Sequence, residues 1–154
     1  MWGARMGNDA QVLNPTPSGP ARAALRRVFI ADDHEGYRAG VARLVAEHPA
    51  LEVIGEAADG EAALAGIVEF RPDVALLDVR MPGLTGIEVC RRLRDDHSAP
   101  ETRIVLITGT PDPVLDAQAA EAGAVALLSK EAAPATIAAQ LLAAAEGRVG
   151  WSVE

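Results

Sequence analysis

The sequence predicts an α/β fold, a single parallel sheet of five strands with helices on both faces. Three observations predict it. Short apolar runs alternate with longer amphipathic stretches from Val28 onward. The runs are too short for helices and mostly unbroken by polar residues, as in strands buried on both faces. The stretches between them carry helix-forming residues with apolar positions three or four apart.

In order, a strand is expected at residues 28–31 and a helix at 37–47, with Pro49 in the connection. The second strand centres on Val53 and Ile54, and a helix covers 61–70 before Pro72. The third strand spans 74–77, and its helix spans 87–94 before Pro100. A fourth pair follows at 104–107 and 114–121, where Gly123 after Ala122 reads as a helix C-cap. Residues 125–128 and 136–146 form the last pair. Right-handed crossovers between parallel strands then place helices on both faces.

A chain of 154 residues that is 49% hydrophobic suits one well-buried domain, expected at 28–146. Residues 1–27, with Pro15, Pro17, Pro20 and three glycines, show little apolar periodicity and read as a flexible leader. Residues 147–154 read as a linker-like tail. The formal charge of −8 lacks the basic footprint of a nucleic-acid binder, so no direct nucleic-acid contact is expected. A single cysteine, Cys90, has no partner for an internal disulfide, and it reads as helix packing. With neither an 18-residue apolar run nor a secretion signal, the expectation is a cytoplasmic protein without a membrane segment.

Ligand sites of open parallel sheets lie beyond the carboxyl ends of the strands. Asp32 and Asp33 follow the first run, Asp78 the third, Thr108 the fourth, and Ser129 with Lys130 the fifth. Carboxylates brought together repel unless a cation joins them, and hard oxygen ligands with a partial protein shell favour Mg2+. No G-x-x-x-x-G-K-[ST] or G-x-G-x-x-G segment follows the first strand, which removes the nucleotide-loop readings. Asp78 is the natural nucleophile for phosphoryl transfer, with Lys130 neutralising phosphoryl oxygens and the Thr108 hydroxyl within reach.

The segments VFIADDHEGYRAG, GEAADGEAAL, RPDVALLDVRMPGLTGIEV, RIVLITG and EAGAVALLSKEA, at these spacings, resemble the receiver domain of bacterial two-component response regulators. The resemblance implies a flavodoxin-like (βα)5 fold with strand order 2-1-3-4-5. It implies that Asp78 accepts a phosphoryl group from a sensor histidine kinase or a small phosphodonor such as acetyl phosphate. Asp33 and Asp78 would bind Mg2+ directly, with the Arg80 backbone carbonyl, while Asp32 would act through a metal-bound water. Lys130 would pair with the phosphoryl group, and Thr108 would move to bond it. Such a domain turns over no ordinary substrate, catalysing only its own phosphorylation and dephosphorylation. The DDHEGYRAG start and the run from Lys130 to Pro134 are similar to receivers that precede a helix-turn-helix domain, which points to transcriptional control. After Glu146 the chain stops before any recognition helix, as in an excised or a stand-alone receiver. A homodimer through the first and fifth helices or the fourth is compatible with the resemblance.

Two positions depart from the family. Leu127 stands where many relatives carry Tyr or Phe, so a switch signal would travel by backbone and helix shifts. Gly109 replaces a residue that is commonly Ala and leaves the phosphoryl pocket open. His34 reads as a solvated neighbour opening a helix, and His48 and His97 as loop residues. A phosphatase with a strand-end Asp nucleophile would need an acid two residues on, where Arg80 stands. A binding module indifferent to phosphate would have no need of the intact set of Asp32, Asp33, Asp78, Thr108 and Lys130.

Overall fold

The computed structural model describes residues 24–148; most of the expected leader and tail, 1–23 and 149–154, lies outside the described residues. Five strands alternate with five helices: β1 (Arg26–Ala31), α1 (Glu35–Ala46), β2 (Leu51–Ala57), α2 (Gly60–Phe70), β3 (Val74–Asp78), α3 (Gly86–Asp96), β4 (Arg103–Thr108), α4 (Pro113–Ala122), β5 (Ala126–Ser129) and α5 (Pro134–Ala145). All neighbouring strands are parallel, in the order β2-β1-β3-β4-β5. This is the order the resemblance implied.

Side-chain alternation divides the core in two. Phe29, Ala75, Leu77 and Leu106 pack with Ile67, Val89 and Cys90 on one face of the sheet. Val28, Ile30, Leu76, Val105 and Ile107 pack with Val41, Val45, Ile137 and Leu141 on the other. All five residues of β3 are buried, because this strand is central and covered on both sides. Each fully buried Leu or Ile in these layers contributes about 1.5–3 kcal/mol.

β1 starts at Arg26, two residues before the apolar run. Arg27 is held there by its N–H donating to Asp73 Oδ2 (2.8 Å) and by its carbonyl accepting the Asp73 N–H (2.9 Å). Its guanidinium donates to the carbonyls of Phe70 and Arg71, which the end of α2 leaves without helical partners. Apolar patterning cannot register such polar anchoring.

Helix caps consume several acidic side chains. Asp59 accepts the Ala62 N–H at the start of α2, and Asp112 accepts the Leu115 N–H at the start of α4. Thr85 and Glu88 form a reciprocal capping box on α3. Gly123 ends α4 in the left-handed region, φ 101°, as its position after Ala122 predicted.

The loop after β3 is tied on both sides: the Val79 N–H donates to the Ile107 carbonyl, and the Gly86 N–H to the Val79 carbonyl, each at 2.9 Å. A Cβ on Gly86 would stand 2.5 Å from the Asp78 carbonyl oxygen, so glycine is what lets α3 approach the end of β3. Gly86→Ala is therefore expected to lower stability by about 1–3 kcal/mol, read as a lower denaturant midpoint. An unchanged midpoint would mean that the loop yields freely.

Candidate functional site

The parallel register aligns the carboxyl ends of the strands. Asp78 is the last residue of β3 and pairs with Ile107, so Thr108, the last residue of β4, lies one step beyond it. Thr108 in turn pairs with Ser129, and Lys130 follows directly. Asp32 follows β1. Asp32, Asp78 and Thr108 are the buried polar side chains among the described residues.

Lys130 joins the set. Its Nζ stands 2.8 Å from Asp32 Oδ2 and 3.0 Å from Asp78 Oδ2. The ammonium also sits 4.7 Å from the centre of the Tyr37 ring, a cation–π contact. The Lys130 N–H donates to the Thr108 carbonyl at 2.8 Å, which locks β5 to β4 beside the site. Asp32 does not cap α1; its Oδ1 accepts the His34 N–H at 2.8 Å, and its backbone carbonyl accepts from Arg38 Nη1 at 2.7 Å. Asp78 Oδ1 accepts the Arg80 N–H at 3.2 Å.

Burial opposes charge at each of the three ionised groups. At Asp32 the Lys130 ammonium and the His34 N–H outweigh burial, and the carboxyl lies below its ordinary value. At Asp78 burial, reinforced by the Asp32 charge, outweighs Lys130 and the Arg80 N–H, and the carboxyl lies above it. Burial would depress the Lys130 ammonium, but the hydrogen bonds it donates to the two carboxylates raise it. Lys130 is thus a fixed cation between two carboxylates of opposite tendency.

The donor set fits a hard divalent cation. Asp32, Asp33, His34 and Asp78 each offer a ligand atom within 4.8 Å of the others. Asp32 Oδ2 is buried, and its close partner among the described residues is the Lys130 ammonium at 2.8 Å. An open lone pair on a buried carboxylate is suited to a metal or to a metal-bound water.

The sequence-expected residues Asp32, Asp33, Asp78 and Lys130 therefore meet at one edge. Thr108 lies at the adjacent strand end, where its hydroxyl accepts the Thr110 N–H at 3.1 Å. Arg80 is exposed, with its backbone beside Asp78. A Cβ on Gly109 would meet nothing within 4 Å, so that position is open. Cys90 is buried, its thiol pushed up to about 11 by burial, and donates to the Ala122 carbonyl, in keeping with packing. Tyr37 over the ammonium was not singled out from sequence, and His34, expected as a solvated neighbour, is exposed yet has its Nδ1 3.4 Å from an oxygen of each of Asp32 and Asp33. Tyr37 looks like an ordinary helical core position, and only its relation to a residue far along the chain shows otherwise. Among the described residues, no helix is long and apolar enough to cross a membrane.

Residues 28–142 match the family model described as the response regulator receiver domain. The chain is 41% identical over 122 residues to a protein named NarL from Mycobacterium tuberculosis, covering 79% of this chain and 56% of that one. It is 39% identical over 121 residues to the transcriptional regulatory protein LiaR of Bacillus subtilis, with the same coverage. It spans about half the length of the curated relatives it matches. The solved signal receiver domain of M. tuberculosis NarL superposes with a TM-score of 0.78 at 39% identity, over 81% of this chain and 99% of that one. A two-component response regulator of the LuxR family from Aurantimonas superposes at 0.76 with 32% identity, over 82% and 89%.

Two stability changes are expected in metal-free buffer. Lys130→Met leaves two buried carboxylates without a counter-ion and should cost about 3 kcal/mol at pH 7. Asp78→Asn should act oppositely. A carboxyl raised in the folded state contributes stability when protonated, fully below its unfolded value near about pH 4, and loses it as pH rises through the folded value. The advantage of Asp78→Asn over wild type should therefore widen from about pH 4 to pH 7, measured as denaturant midpoints. A constant difference would contradict the raised Asp78.

Proposed function

The chain belongs to the response-regulator receiver family, and on that premise we propose that Asp78 is its phosphoacceptor and that Asp33, Asp78 and the Arg80 carbonyl hold Mg2+, with Asp32 acting through a bound water. The observation that carries this reading is the position of Lys130 Nζ, within 3.0 Å of Asp78 and 2.8 Å of Asp32 although the three residues come from different strand ends.

In the transfer, an Asp78 carboxylate oxygen attacks phosphorus. The new O–P bond forms as the bond from phosphorus to the leaving group breaks, and the leaving acetate or histidine nitrogen keeps the electron pair. Acetate leaves as a stable anion, so the step requires no general acid from the protein. The bound cation supplies charge neutralisation for the phosphoryl oxygens and for the crowded carboxylates. Lys130 offers its ammonium to the same oxygens, exchanging its present pairing for one with the phosphoryl group. The Thr108 hydroxyl, now accepting the Thr110 N–H, turns to donate to a phosphoryl oxygen and draws the loop after β4 inward.

The proposed phosphodonors are a sensor histidine kinase and small acyl phosphates. We extend to this chain the transcriptional output that LiaR bears in its name. The chain's own acidity, −8 overall, supports an action through a partner or attached domain and not through direct nucleic-acid contact. A cytoplasmic location suits a kinase substrate with one cysteine, and self-association on phosphorylation is the simplest route to an output.

Incubation with acetyl phosphate and Mg2+ should add the mass of one phosphoryl group to the intact chain, and chelation of Mg2+ should prevent it. Asp78→Asn should gain nothing. Equal gain by that variant, or none by wild type, would refute the assignment.

A further inference from the structure

We infer that Tyr37 is a positioning residue for phosphoryl transfer: the face of its ring holds the Lys130 ammonium at the site, and its hydroxyl takes no part. The inference rests on the reading above that Asp78 accepts a phosphoryl group beside Lys130.

Lys130 is the single lysine of the chain, and its ammonium ends a flexible four-carbon stem. Such a side chain must give up considerable rotamer freedom to stand between two carboxylates. The Tyr37 ring, 4.7 Å from the ammonium, meets it from α1. An attraction to the ring face is compatible with either partner of Lys130, because it uses none of the three N–H donors. The ammonium can therefore pass from the carboxylates to phosphoryl oxygens while it stays over the ring, so its orientation is prepared before the donor arrives.

Three further observations favour the ring over plain packing. The Tyr37 hydroxyl oxygen is buried and makes no hydrogen bond among the described residues, a cost that an aliphatic side chain would not carry. Tyr37 and Lys130 together line an apolar groove of about 300 Å3 between α1 and α5, to which Gly36 and Gly40 contribute no side chain. A Cβ on either glycine would meet nothing within 4 Å, so the lysine stem has open space beside it and the ring bounds that space. The turn of α1 that carries Tyr37 is itself fixed to the site, since Arg38 Nη1 donates to the Asp32 carbonyl at 2.7 Å and its Nε pairs with Glu56 at 3.1 Å.

The test compares the full 154-residue chain with Tyr37→Leu and Tyr37→Phe in acetyl phosphate at saturating Mg2+, following the gain of mass with time. Tyr37→Leu keeps an apolar side chain and should slow the gain at least about threefold, and Tyr37→Phe should restore it. With one tyrosine and one lysine in the chain, the proton resonances of the pair are unambiguous. The Lys130 ε-protons should be shifted upfield by the ring in wild type and Tyr37→Phe, and should return to the ordinary position in Tyr37→Leu. Unshifted ε-protons in wild type, equal slowing by Phe and Leu, or a Leu variant as fast as wild type would each overturn the inference. A wild type that gains mass no faster than Tyr37→Leu refutes the role of Tyr37 alone. A wild type that gains none refutes the phosphoacceptor assignment and the role of Tyr37 with it.

Discussion

Two buried carboxylates, Asp32 and Asp78, are held at one edge of the sheet by a single ammonium, and the rest of the molecule is arranged around that constraint. Neither acid would remain ionised beside the other at 3% and 5% side-chain exposure without Lys130, which reaches both from the end of β5. The central position of β3 fixes Asp78 between β1 and β4, and the parallel register makes the other strand ends converge on it. A fold with these strands antiparallel would send alternate ends to opposite edges, and the charges would never meet.

The same constraint leaves the site poised. Asp78 is held above its ordinary value and Asp32 below, so the pair is asymmetric before any cation arrives. Lys130, which pairs with both carboxylates, is tied by its backbone to Thr108. Charge at Asp78 is therefore mechanically connected to β4 and β5. Tyr37 extends the connection to α1 through its ring beneath the ammonium.

Position 127 carries no aromatic ring. Leu127 is half-buried and packs against the same apolar cluster as Leu115 of α4. Leu127 and Leu115 thus share one apolar layer, and the Lys130 N–H ties β5 to β4 through the Thr108 carbonyl. Gly109, with open space about its α-carbon, leaves the Thr108 loop room to move.

The sequence by itself determined the alternation of strands and helices, because burial on both faces demands continuous apolar runs and amphipathic helices demand a repeat of three to four. It also placed Asp32, Asp33, Asp78, Thr108 and Lys130 at strand ends, since such ends lie where each apolar run stops. Its segments, by resemblance, supplied the order of the strands. Local pattern could not give the start of β1, where Arg27 is anchored by Asp73 and by the end of α2. Nor did it assign the capping roles of Asp59 and Asp112, which depend on the backbone N–H groups that their helices present. Only the tertiary structure decided that His34 turns towards the carboxylates and that Tyr37 lies beneath Lys130, 93 positions away in the chain. Such contacts depend on how helices dock across the sheet, and a periodicity of a few residues carries no information about that.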